Sequence, residues 1–142
     1  MKLREVMSAP AIRIHPDENV LVAARTMERY NIGAMPVCGS DGRLKGMITD
    51  RDIVTRCLAA GKNAANTAVA DVMTASIIAV RPDMEAEDAA SIMGSKQIRR
   101  LPVMENGRLC GMVSLGDLSV KEESNAKAAK ALSMISSHLS SR

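Results

Sequence analysis

The sequence predicts an α/β fold: two pseudo-symmetric β-α-β-β-α repeats packed sheet to sheet, followed by a C-terminal helix. Three observations carry this reading. The chain matches itself at one near-constant offset. Each copy alternates strand-period and helix-period apolar patterns in the same order. From Lys121 onward the pattern is helical only.

The self-match pairs Val6-Met7 with Val72-Met73, Ile12 with Ile78, and Pro16-Asp17 with Pro82-Asp83. It continues through Ala23-Ala24 and Ala89-Ala90, Met27 and Met93, Ile32 and Ile98, Pro36-Val37 and Pro102-Val103. One residue then drops out in a turn. Beyond it Gly42-Arg43-Leu44, Gly46-Met47 and Asp52 match Gly107-Arg108-Leu109, Gly111-Met112 and Asp117. Two copies are too few for a solenoid. Units of about 50 residues gain strongly from burying their sheets against each other, so a pair sharing one core is expected. The expected organisation is repeat one over 1–60, a small polar linker over 61–68, repeat two over 69–120, and a helical tail over 121–142.

In the first repeat AIRIH alternates as a strand and Pro16-Asp17 ends it. Asp17 is placed to cap a helix whose apolar face is Val20, Ala23, Ala24 and Met27. AMPVCG and LKGMIT read as two strands joined by Ser-Asp-Gly, with Gly42 free to take positive φ. Thr49 opens a second helix through DRDIVTRCLAA. The second repeat gives strand IIAVR, a helix from Asp83 to Lys96, strands RLPVME and LCGMVS, and a helix from Ser114. In the tail Ala128, Leu132, Ile135 and Leu139 mark one face, expected to pack on the protein itself.

Composition narrows the function classes. The 142 residues are 46% apolar, with one Tyr, no Phe and no Trp, so the core is aliphatic with eleven Met as gap-fillers. No apolar run approaches the ~20 residues of a membrane span. The N-terminus lacks the apolar region of a signal peptide, and a cytoplasmic protein is expected. Cys38, Cys57 and Cys110 show no metal or redox spacing and read as free thiols. The cations Lys96, Arg99, Arg100 and Arg108 have no aromatic platform and the net charge is only +3, which disfavours nucleic acid. His15 and the scattered cysteines make no metal site, and no nucleophile–base pair points to an enzyme.

The element that asks for an explanation is GMITDRDI, repeated as GMVSLGDL. Thr49 with Asp52, and Ser114 with Asp117, have the spacing of a helix capping box. Other features favour a ligand. Both elements follow a glycine-led strand, beside strands with an apolar-Pro-Val core whose proline interrupts pairing and is expected to leave backbone groups free. Arg99 and Arg100 precede the second of these. Helix N–H groups and arginines bind phosphate, and a carboxylate can accept from both ribose hydroxyls.

This order of motifs, given twice, resembles the CBS domain, named for cystathionine β-synthase. The tandem pair is often called a Bateman module, and the chain looks like the stand-alone prokaryotic kind. The resemblance covers residues 1 to about 120. It implies clefts between the repeats that bind adenosine-containing ligands such as AMP, ADP, ATP, NAD or S-adenosylmethionine. It also implies a homodimer and an unknown regulated protein partner, with no membrane and no required cofactor. Carried over, Asp52 and Asp117 would hold ribose and Thr49 and Ser114 would help at phosphate. Ala34, Met35 and Pro36, with Arg100, Leu101 and Pro102, would line the base pocket through their backbone. Ile12 and Ile78 would flank the adenine, and Arg51, Arg99 and Arg100 are the candidate phosphate cations.

The copies differ in charge. Gly33-Ala34 stands where the second copy has Arg99-Arg100, and Asp50-Arg51 where it has Leu115-Gly116. Unequal binding is therefore expected. The reading is a regulatory adenine-nucleotide module. The alternative is a dimerisation scaffold with empty clefts, followed by a nucleic-acid binder or a nucleotide-processing enzyme.

Overall fold

In the computed structural model the described residues are 1–119 and 122–140, the last stretch by backbone alone at 122–125 and 138–140. The chain forms two compact units, and neither is one continuous stretch. One comprises Ile12–Ile77 with Gly107–Leu109 and holds the first repeat from Ile12 onward; the other comprises Met1–Ala11, Ile78–Asn106 and the chain from Cys110.

In the first unit α1 (Val20–Tyr30) buries Val20, Ala23 and Met27. Strands β1 (Ala34–Cys38) and β2 (Leu44–Thr49) pair antiparallel, with Ala34 opposite Thr49 and a bulge at Val37/Cys38. Gly42 takes φ 79 in the turn, as its lack of a Cβ allows. The segment α2 (Asp50–Asp52) continues as a π-helical stretch, Ile53–Leu58, which buries Cys57. The core is aliphatic: Ile14, Val20, Met27, Met35, Val37 and Ile48 with Val69 and Val72.

The second unit repeats the plan. It has α3 (Ala86–Lys96), a two-stranded sheet of β3 (Arg100–Glu105) and β4 (Arg108–Ser114), α4 (Leu115–Ser119) and the long α5 (Glu122–Ser140). Its core joins Leu3, Val80, Met93, Leu101, Val103, Val113 and Leu118 with Ala128, Ala131 and Ile135 of α5. Among the described residues no helix is long and apolar enough to cross a membrane.

Several expectations need correction. The predicted leading strands, AIRIH and IIAVR, are each a single parallel bridge, Ile14 to Val37 and Val80 to Val103. Prolines explain this. In a parallel ladder the next rung toward Ile12 needs an N–H at Pro36, and the rung beyond Ile14 needs one at Pro16; neither exists. Pro82 and Pro102 limit Val80 in the same way. The proline carbonyls are also engaged: Ile14 N–H donates to Pro36 O at 3.1 Å and Val80 N–H to Pro102 O at 3.0 Å.

Asn19, not Asp17, caps α1, its Oδ1 accepting from Val22 N–H at 2.9 Å. Residues 15–18 are used in a turn, with Glu18 N–H donating to His15 O. α3 begins at Ala86 rather than near Asp83, and Glu85 at its start gives it no side-chain cap. The Glu85 carboxylate instead meets Lys2 Nζ and the N-terminal ammonium, each at 2.8 Å. Lys2 first, then the N-terminus, hold that carboxyl down at about 2. On α5 the buried face is Ala128, Ala131 and Ile135, whereas Leu132 is 43% exposed. Gly94 of α3 is the reason, because a Cβ there would meet the Ala131 Cα at 3.1 Å. The side chain of Leu139 lies outside the described residues.

The leading segment of each repeat packs into the core that holds the rest of the other. Val69 and Val72 are buried in the first unit, and Leu3 in the second. The backbone contacts are duplicated. Met47 and Thr74 exchange two N–H···O bonds at 2.9 and 2.8 Å, and Met112 and Ser8 do so at 3.0 and 2.8 Å. Beside each pair sits the motif glycine. A Cβ would lie 2.6 Å from the Thr74 carbonyl oxygen at Gly46 and 2.8 Å from that of Ser8 at Gly111. Denaturant unfolding of Gly46→Ala and Gly111→Ala is therefore expected to show losses of about 1–3 kcal/mol each from overpacking against backbone. Gly116→Ala, whose Cβ would meet only Ser114 Oγ at 3.6 Å, should change stability by less than about 1 kcal/mol.

Candidate functional site

Both hydroxyl-x-x-Asp elements are closed capping boxes. Asp52 N–H donates to Thr49 Oγ1 at 3.0 Å and Thr49 N–H to Asp52 Oδ2 at 2.9 Å. Asp117 N–H donates to Ser114 Oγ at 3.0 Å and Ser114 N–H to Asp117 Oδ2 at 2.8 Å. Each box satisfies two donors and sets one carboxylate oxygen against the helix start. The helix entry is also pinned in both copies by one further bond. Asp50 N–H donates to Gly33 O at 2.9 Å, and Leu115 N–H to Arg99 O at 2.8 Å.

Beyond this shared frame the two sites diverge. In the first repeat Arg51 N–H is taken by the Asp50 side chain at 2.8 Å, so all three leading N–H groups are satisfied internally. Asp52 is buried, and its other oxygen lies 3.9 Å from Arg56 Nε. Arg56 in turn reaches the Met73 carbonyl at 3.1 Å, linking the box to the incoming segment. Asp50 adds an exposed negative charge, and its carboxylate lies where a Cβ at Gly33 would meet it at 3.0 Å.

In the second repeat Leu115 and Gly116 replace Asp50 and Arg51, so no acid stands at the first turn before Asp117. Gly116 N–H meets no acceptor among the described residues. Asp117 is only partly buried. Arg99 and Arg100 are exposed and, among the described residues, pair with no carboxylate. A cavity of about 460 Å³ opens here, lined by Arg99, Arg100, Ser114, Leu115, Gly116 and Ser119. α5 completes the lining with Ala128, Ala129 and Leu132. Cations, a hydroxyl, a backbone donor and an apolar wall thus converge. Such a set suits a ligand with both an anionic and a flat apolar part.

The remaining candidates fall elsewhere. Met35, Pro36, Leu101 and Pro102 are buried in the sheets, and their side chains serve the cores or strands. Ala34 is partly buried opposite Thr49, and Arg51 is exposed. Ile78 packs on the core of the second unit. Ile12 packs on the first core and lines a shallow concavity of about 470 Å³ with Arg13, Arg25, Arg29 and Tyr30, not with Thr49 or Asp52. Sequence reasoning missed the α5 residues, since nothing local joins the tail to Ser114. Burial pushes the Cys38 and Cys110 thiols up, away from the reactive thiolate. Among the described residues no cluster of three or more His, Cys, Asp or Glu is placed to hold a metal.

The boxes have a testable cost. Asp52→Ala and Asp117→Ala should each lower unfolding free energy by about 0.5–2 kcal/mol, measured by urea titration.

Comparison with known proteins places this geometry. The CBS domain family matches residues 3–59 and 69–124. The chain is 40% identical over 134 residues to the CBS domain-containing protein YhcV of Bacillus subtilis (strain 168), covering 94% of each chain. Its structure is similar to that of Hypoxic Response Protein I with two coordinated zinc ions. There the TM-score is 0.79 at 34% identity, over 84% of this chain and 98% of that one. It is also similar to the CBS domain pair of protein MJ0100 in complex with 5'-methylthioadenosine and S-adenosyl-L-methionine. That TM-score is 0.76 at 27% identity, over 84% and 94% of the two chains. Repeat, paired capping boxes and both matched segments agree: the chain belongs to the CBS domain family and carries two of its domains in tandem.

Proposed function

We propose that the protein is a regulatory module whose second repeat binds an adenosine-containing ligand and signals its presence to a partner protein without turning the ligand over. The observation that carries this is the convergence of Arg99, Arg100, Ser114 and Gly116 on one cavity. The two guanidinium groups and the Gly116 N–H supply donors for a phosphate or carboxylate. Asp117 does not itself line the cavity but follows the lining residue Gly116; it spends one oxygen on its box, and in this reading the other accepts from ribose hydroxyls. Leu115 and the α5 side chains offer apolar surface to the base. The adenosine-containing ligands in the MJ0100 complex support this ligand class. The first repeat, with its donors satisfied and Asp50 in place, binds the same ligand weakly or not at all.

Homodimerisation and a cytoplasmic location belong to the same reading. Self-association is supported by exposed apolar side chains on helices of the first unit, Val22 and Tyr30 on α1 with Val54 and Leu58 beyond α2. A second reading, a dimerisation scaffold that binds no nucleotide, is favoured by the closure of both boxes, which explains the repeated Asp without any ligand.

Calorimetric titration with AMP, ADP, ATP, NAD and S-adenosylmethionine separates the two. The proposal expects one saturable site per chain, weakened by more than about tenfold in Arg100→Ala, as loss of a charge-assisted contact implies, and little changed in Asp52→Ala. Absence of binding by all five would favour the scaffold.

A further inference from the structure

We infer that α5 is a wall of the second-repeat ligand site, that its small residues Ala128 and Ala129 set which ligand fits, and that occupancy and α5 docking are therefore coupled. The inference rests on the ligand reading above and adds a specificity element outside the repeated motifs. The family match ends at residue 124, so nearly all of α5 lies beyond it.

The position of this wall follows from packing. Ala128, Ala131 and Ile135 are buried in the same core as Ala89, Ala90 and Met93 of α3. Gly94 permits the close approach, since a Cβ there would meet the Ala131 Cα at 3.1 Å and the Met134 sulfur at 3.1 Å. Held in this way, α5 brings Ala128, Ala129 and Leu132 to the cavity that Arg99, Arg100 and Ser114 also line. The division of labour is chemical. The strand ends and α4 supply cations, hydroxyl and N–H, while α5 supplies only apolar surface. Leu132, 43% exposed, leaves apolar area at the rim for a ligand to cover. Alanines at 128 and 129 keep the volume open, and a larger side chain at 129 would take it.

A ligand touching both walls binds the docked helix better than an undocked one. By linkage, it must then favour docking to the same extent that docking favours its binding. The tail is the natural reporter of occupancy to a partner.

The test compares wild type, Ala129→Trp and Ala126→Trp, the last an exposed α5 position that does not line the cavity. Each is titrated with AMP, ATP and S-adenosylmethionine, with circular dichroism and melting to confirm folding. Hydrogen exchange of residues 126–137 is then followed in wild type with and without the tightest of the three. The expected result is binding weakened more than about tenfold in Ala129→Trp, near wild type in Ala126→Trp, and slower α5 exchange when ligand is bound. Wild-type binding with an unaffected Ala129→Trp, or with unchanged α5 exchange, would overturn the role of α5 and leave the ligand reading standing. Absence of wild-type binding would overturn that reading and this wall with it.

Discussion

Everything at the two candidate sites depends on a backbone contact that a side chain would forbid. Thr74 and Ser8 lie flat against Gly46 and Gly111 and exchange two hydrogen bonds with the following residue, Met47 or Met112. Two residues later the strand ends at Thr49 or Ser114, the first member of the capping box. Fixing the methionine backbone fixes where the hydroxyl and the helix start stand. Glycine costs conformational entropy in a strand, and here the cost is offset by a second backbone brought into bonding range. The incoming segments also carry Leu3, Val69 and Val72 into the cores, so burial and site geometry come from the same short stretches.

The repeat was legible as a self-match, and the helices α1 and α3, the hairpins and the boxes were legible because each is local. Val20, Ala23 and Met27 show helical spacing, Gly42 sits in a two-strand turn, and Thr49 and Asp52 are three residues apart. What was not legible is non-local, or turns on competition between neighbours. The exchange of leading segments between repeats leaves no mark in either one, since Val6-Met7 and Val72-Met73 read alike wherever they pack. The single-rung bridges could have been foreseen, because Pro16 and Pro36 remove the N–H groups that a longer parallel ladder needs. Ala131 displaced Leu132 from the buried face of α5 because Gly94, far away in sequence, offers a groove that only a small residue enters. The π-helical stretch after Asp52 had no signal in the apolar pattern.

Duplication followed by divergence explains why the sites are alike in frame and unlike in chemistry. In the first repeat the box is sealed: Asp50 takes the Arg51 N–H, and Arg56 sits beside Asp52. In the second the same positions hold Leu115 and Gly116, and two arginines that pair with no carboxylate among the described residues line a cavity. On the proposed reading capping and binding are not rivals there. A carboxylate has two oxygens, and Asp117 commits one, Oδ2, to the helix start, while the proposed reading assigns the other to ribose. Stability and recognition share one residue on that reading, and capping alone already explains the spacing of Asp117.

The most direct measurement is a crystal structure of the full chain grown with saturating AMP. The account predicts phosphate density beside Arg99 and Arg100, ribose against Asp117, base against Ala129 and Leu132, and no comparable density at Thr49 and Asp52. Ligand seated at Thr49 and Asp52 with the second-repeat cavity empty would contradict it.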